Sequence, residues 1–376
     1  NYTREGNGDN CPTKTPTTNA EPTVEIPLED GFWTPLSTPF ELTAEGSDPD
    51  GDAITYCWEQ YNLGPNDVGL GNPQGDSPLF RSFSPVESPT RVFPRLNKII
   101  SNNFDNTEIL PDYGRNLTFR CTVRDNNPQG GNAVWDAVAF KSDETSGPFR
   151  VQIPNSDTVV WTVGDYQEVR WDVANTDNNR VRCYHVDIKL SVDGGQTYPF
   201  TLLEGTPNDG SAFITVPDAV STDARIRVEA ADNIFFDISN ADFEIAPATV
   251  PGFALTLTPE SVSPICLPEV TSIDISTEAF LGFDQPITLS LDGDLPAEAT
   301  VTFSENPVAP GNATTLTIDW GTFVEDTFSL EIMGITDSLP PAVRFLNLST
   351  ISNDFSELEM LSPANGSADI VLSTPF

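Results

Sequence analysis

Histidine is almost missing from this 376-residue chain, His185 being the only one. With no second histidine, neither the HExxH zinc pair nor most histidine-based zinc sites can be assembled. A Ser-His-Asp triad would have to use His185, which sits in RCYHVDIKLSVDGG. That segment alternates like a strand, which marks the residue as structural. Basic residues are scarce too, 18 against 56 acidic ones, for a formal charge of −38. Such a surface repels phosphate backbones, so nucleic acid is set aside as a partner. No run reaches the eighteen or so apolar residues of a membrane helix, so no helical membrane insertion is expected. The 33 prolines argue against long helices.

What is present is strand-forming sequence. Segments such as FELTAEG, DAITYCWEQ, RNLTFRCTVRD, HVDIKLSVDGG, ARIRVEA, TTLTIDW and TFSLEIMGI place apolar residues at every second position and end in turn residues. The expected fold class is all-β, in tandem immunoglobulin-like or fibronectin-III-like β-sandwiches. Gly and Pro interrupt the pattern at SDETSGPFR and EIAPATVPGF, which divides the chain into sandwiches at 21–145, 146–247 and 248–350. Residues 1–20 read as a linker from an upstream domain, and 351–376 as a linker and the start of a further, truncated domain.

The stretch AEGSDPDGDAITYCWEQ raises the main chemical question. Asp48, Asp50 and Asp52 alternate around Gly51, a pattern that aims several carboxylates at one point and suits the six to eight oxygens of Ca²⁺. An EF-hand does not fit, because about seven residues of strand would carry Glu59 more than ~20 Å away. Asp125, ending the strand in RCTVRDNNPQGG, is the expected fourth ligand, with Glu45 and backbone carbonyls completing the shell. The alternative is an Asx-turn network without a metal. Asp232, Asp237 and Asp242 gather near another strand end as a weaker cation candidate.

Five cysteines in so acidic a chain suggest an oxidising compartment. Cys57 with Trp58, followed some sixty residues later by Cys121 on a strand, matches the immunoglobulin pattern of a bridge between sheets, so a Cys57–Cys121 disulfide is expected. Two reduced, buried thiols are the alternative. Cys11, Cys183 and Cys266 fall in different blocks and are left unpaired. SVDGGQTYPF has the form of an Asp-box turn, with Asp193, Gly195 and Thr197 in structural roles. Trp33, Trp135 and Trp161 offer a sugar-stacking surface, with core packing the competing fate.

Taken together, CPTKTPTTNAEPTV, STPFELTAEGSDPDGDAITYCWEQYNLG, RNLTFRCTVRDN, and the run from GPFRVQIPN through ARIRVEAADNIFFDISNADFEI resemble a known arrangement. It is the region after the catalytic domain in secreted bacterial reprolysin-like zinc metallopeptidases. The HExxHxxGxxH zinc site of that family has no counterpart here, so the resemblance transfers no catalytic residue. It implies export to the extracellular space or bacterial cell surface, with the type IX route as the expected path. The functional expectation is a non-catalytic stalk, adhesion or fibre-forming segment stiffened by calcium. Its partners would be other domains of the same chain, further copies of itself, or a cell-surface polysaccharide. The alternative is an accessory substrate- or surface-docking region of an active metallopeptidase. A carboxylate-based glycosidase has only the abundance of Asp and Glu behind it.

Overall fold

The computed structural model describes residues 18–65, 68–69, 71–259, 261–267, 270–321 and 326–352. Cys11, most of the expected opening linker and residues 353–376 lie outside the described residues, as does the side chain of Cys266. The described residues form 25 strands and one short helix, Leu96–Ile100. The fold is all-β, in tandem immunoglobulin-like sandwiches.

Strand Arg115–Arg124 shows why these residues become a sheet. Leu117, Phe119, Cys121 and Val123 are fully buried, while Asn116 and Arg124 at either end of that set face solvent. This strand is the second from one edge of a four-stranded sheet ordered Trp33–Pro35, Ala133–Asp143, Arg115–Arg124, Thr55–Gln60. The pair Phe40–Thr43 and Thr90–Phe93 forms a second, two-stranded sheet. Five phenylalanines fill the core of this sandwich. Phe40 stacks on Phe93 at 5.1 Å, Phe119 meets Phe93 edge-on at 4.7 Å, and Phe80 and Phe140 complete the cluster. Truncating a ring buried this deeply removes about 3–5 kcal/mol of stability.

The second sandwich is built on Ser221–Ala230, flanked by His185–Ser191 and Phe236–Ile238, with Phe200–Pro207 beyond His185–Ser191. Strand Arg150–Ile153 pairs with Tyr166–Asp172. The third sandwich carries two four-stranded sheets. One is ordered Gly252–Thr258, Thr271–Phe280, Ala313–Asp319, Thr300–Phe303; the other Ser261–Leu267, Ala342–Ser352, Thr327–Ile335, Thr288–Asp292. Leu255, Ile273, Ile275, Leu316, Ile332 and Leu346, all fully buried, occupy its core.

The compact units do not follow the three sequence blocks. One unit comprises 1–160, 168–212 and 221–244, the other 161–167, 213–220 and 245–376. The first sandwich and most of the second therefore share one unit, and the packing along their seam gives the reason. Phe40 pairs with Phe235 in an isolated β-bridge, the N–H of Glu41 donates to Ile234 O at 3.0 Å, and the N–H of Phe236 donates to Pro39 O at 3.0 Å. Arg227 pairs with Glu41 at 3.0 Å, and Ile99, Phe236 and Ile238 form a buried cluster with Val92, Leu96 and Tyr198. Gly147, in the stretch that reads as a boundary, has φ +95°, and a Cβ placed on it would meet the Leu36 carbonyl oxygen at 2.2 Å. The glycine is there for close approach of two backbones.

Candidate cation loop and ligand cleft

The loop after strand Glu45–Ser47 is organised by Asp48. Its Oδ1 accepts the N–H groups of Asp50 at 2.9 Å and Asp52 at 3.0 Å, an Asx turn, and Gly51 closes the loop at φ +79°. One oxygen from each of Asp48, Asp50 and Asp52 lies within 4.8 Å of the others. Asp50 Oδ2 accepts the N–H of Ala20 and Asp52 Oδ2 accepts Asn127 Nδ2, each at 2.6 Å. Asp48 Oδ2 is shielded from solvent and meets no hydrogen-bond partner. A shielded carboxylate oxygen without a donor is unfavourable unless a cation or water reaches it. Three carboxylates with converging oxygens offer the hard oxygen donors that Ca²⁺ takes.

Asp125 does not join this triad. It is buried, its Oδ1 accepts from Asn132 N at 2.8 Å and Asn127 N at 3.3 Å, and its Oδ2 accepts from Asn19 Nδ2 at 2.7 Å and Asn132 N at 3.0 Å. Burial pushes its carboxyl up, but these hydrogen bonds outweigh burial and hold it below the usual range. The link to the loop runs through Asn127, whose side-chain amide bridges Asp52 and Asn19. With both oxygens occupied by N–H donors, Asp125 braces the loop from beside the triad.

Cys57 and Cys121 are free thiols, which corrects the expected bridge. They lie on neighbouring strands of one sheet, where Cys57 is opposite Thr122 and Cys121 opposite Trp58. Residues directly opposite share a face and successive residues alternate, so the two sulfurs point to opposite faces. Cys57 donates to Phe83 O at 3.4 Å, and burial pushes the Cys121 thiol up to about 12. Both behave as small buried apolar groups. Cys183 is also a free, buried thiol.

The Asp193 turn closes on itself. Asp193 Oδ1 accepts the N–H groups of Gln196 at 3.0 Å and Thr197 at 2.9 Å, and Oδ2 accepts the Thr197 hydroxyl at 2.6 Å. Those bonds, the Thr197 hydroxyl first, hold its carboxyl down at about 2. Gly195, at φ +84°, donates to Ser191 Oγ at 2.8 Å.

Asp232, Asp237 and Asp242 are not brought together. Asp242 pairs with Arg225 at 2.5 Å, Asp232 faces His185 at 3.4 Å, and Asp237 accepts the N–H of Val151 at 2.7 Å. Burial pushes the Asp237 carboxyl up to about 7, against the pull of the Val151 and Ile238 N–H groups. The three tryptophans differ in exposure. Trp161 is buried, Trp33 is half-buried with Lys141 and Arg180 each 5.2 Å from its ring, and Trp135 is 62% exposed.

Sequence reading misses one feature altogether, a cleft of about 480 Å³ along the seam of the first two sandwiches. Its lining comes from segments near residues 37–39, 71, 99–110, 149–150 and 237–240. One wall is fixed by Glu108, fully buried, which accepts from Arg91 at 2.9 Å and Arg95 at 3.1 Å. The only local signal is the polar run around Phe104.

No protein-family model matches the chain, and no curated relative does. Solved structures similar to it include Sidekick-1 immunoglobulin domains 1–5, at 14% identity over 88% of this chain and 60% of that chain, TM-score 0.26. The insect immune protein hemolin is similar at 12% identity over 89% of this chain and 78% of that chain, TM-score 0.24. Dimeric latent PorU from Porphyromonas gingivalis is similar at 10% identity over 88% of this chain and 34% of that chain, TM-score 0.31. The chain thus spans 60% of the Sidekick-1 structure, and the likeness concerns β-sandwich architecture alone. None of these findings links the chain to reprolysin-like peptidases. Among the described residues, no helix is long and apolar enough to cross a membrane.

Proposed function

We propose that this chain is a non-catalytic, extracellular or cell-surface stalk or adhesion segment of a larger exported bacterial protein. In this reading its first sandwich is stiffened by Ca²⁺ held by Asp48, Asp50 and Asp52. The observation that carries the reading is the seam. Two sandwiches share a β-bridge, an apolar cluster and an ion pair, and so make a rigid spacer of a kind that a tether of independent beads does not provide. The unpartnered Asp48 Oδ2 supports the cation. Calcium would supply charge neutralisation for the three carboxylates and tie the loop near Ala20 to the end of the sandwich.

Thermal unfolding with and without Ca²⁺ tests this. A ligand present at ten times its dissociation constant adds about 1.4 kcal/mol to the native state, which raises the midpoint of a domain this size by about 3–5 °C. An unchanged midpoint at millimolar Ca²⁺ removes the cation from the proposal. Small-angle scattering that requires independent motion of the first two sandwiches removes the rigid spacer. The accessory-region reading shares this architecture, and an HExxH motif elsewhere in the parent protein would decide for it.

A further inference from the structure

The seam cleft has no role in the spacer or the cation loop, and its lining is of mixed chemistry. Its floor is apolar, with Pro39, Ile99 and Phe149 buried there. Phe104 stands at the wall with half of its surface exposed. Ile109 and Leu110 add to the apolar lining and Glu108 is held by its two arginines, while the planar polar groups are Asn102, Asn106 and Asn240, the carboxylates Asp105 and Asp237, and the Arg150 guanidinium. Among the described residues, the side chains of Asn106 and Arg150 have no hydrogen-bond partner. Asn102 is fixed across the seam by its bond to Asn240 O at 2.8 Å.

This composition excludes most ligand classes in turn. An anion would face Asp105, Asp237 and a chain of charge −38. A cation would meet Arg150 at the rim, and Asp105 is already engaged by Lys98 at 2.5 Å. A wholly apolar ligand would bury amide and carboxylate groups without partners, which is unfavourable. What fits is a neutral ring with C–H groups on one face and hydroxyls at its edge. The face would lie on Phe104, and the hydroxyls would donate to the carboxylates and both donate to and accept from the amides. The volume falls in the range of small-ligand sites.

We infer that the cleft between the first two sandwiches is a binding site for a short neutral oligosaccharide, stacked on Phe104 and hydrogen-bonded by Asn102, Asn106 and Asp237. This makes the seam a recognition element and does not depend on calcium.

Saturation-transfer NMR on the whole chain tests the assignment, with cellotriose, xylotriose, mannotriose and tri-N-acetylchitotriose as probes and trigalacturonate as the anionic control. At least one neutral trisaccharide should receive transfer, and trigalacturonate none. Phe104→Ala should weaken that binding about tenfold, consistent with loss of a stacking contact. Asn106→Ala, at an exposed position outside the core, should weaken it in a protein that melts like the parent. Absence of transfer to every neutral probe overturns the inference. So does undiminished binding by the Asn106→Ala protein, or preference for trigalacturonate.

Discussion

The chain contains two glycine-bearing aspartate turns that look alike in sequence, SDPDGD and SVDGGQ, and their carboxylates are used differently. In the Asp193 turn both oxygens accept hydrogen bonds from the turn itself. In the Asp48 loop one oxygen organises the backbone and the other is shielded without a donor. Composition does not separate a structural turn from a binding loop. The count of donors reaching each oxygen does, and by that count Asp125 belongs with Asp193.

The contrast breaks most visibly at Asp125. Asp125→Ala should destabilise the first sandwich by about 2 kcal/mol, since it leaves the part-buried N–H groups of Asn127 and Asn132 unpaired and the Asn19 amide with Gly130 O alone. If Asp125 only braces the loop, chemical denaturation should show that loss equally with Ca²⁺ and with chelator.

Asp237 sharpens the comparison from the opposite side, being a half-buried carboxylate with too few donors. Its folded pKa of about 7 lies above the usual carboxylate value of 3.8, so the native state binds the extra proton. Stability should therefore be full below about pH 4 for this group and fall as pH rises towards 7. Asp237→Asn should abolish that slope and stabilise the protein at about pH 8 by on the order of 2 kcal/mol, allowing for partial exposure. Denaturation midpoints across pH measure it.

Asp193→Ala should cost about 1–2 kcal/mol through four lost hydrogen bonds. Because its folded pKa is depressed to about 2, its contribution should be present above about pH 4 and fade as pH falls through 2. The smallest effect belongs to Asp48→Asn. It should erase a calcium-dependent gain of about 1.4 kcal/mol and leave stability in chelator unchanged or higher. Scanning calorimetry in both buffers distinguishes the two.

Much of the fold was legible because alternation along a strand is a local property. Leu117, Phe119, Cys121 and Val123 announce their buried face without reference to anything distant. The acid turn was legible for the same reason. The relation of Cys57 to Cys121 was not, because it depends on register. Sliding the pairing by one residue would put both sulfurs on one face, and spacing along the chain does not fix that register. The seam lay further out of reach, since Phe40 and Phe235 are joined across almost two hundred residues. The cleft is composed of five segments, none of them unusual alone.

Gly147 carries a mechanical consequence. Where a tether between domains would let them pivot, this residue is a keystone, because any side chain there would pry Leu36 away. A pull on the chain should therefore load the first two sandwiches as one body, and they should yield together in a single calorimetric event. Gly147→Ala should split that event in two.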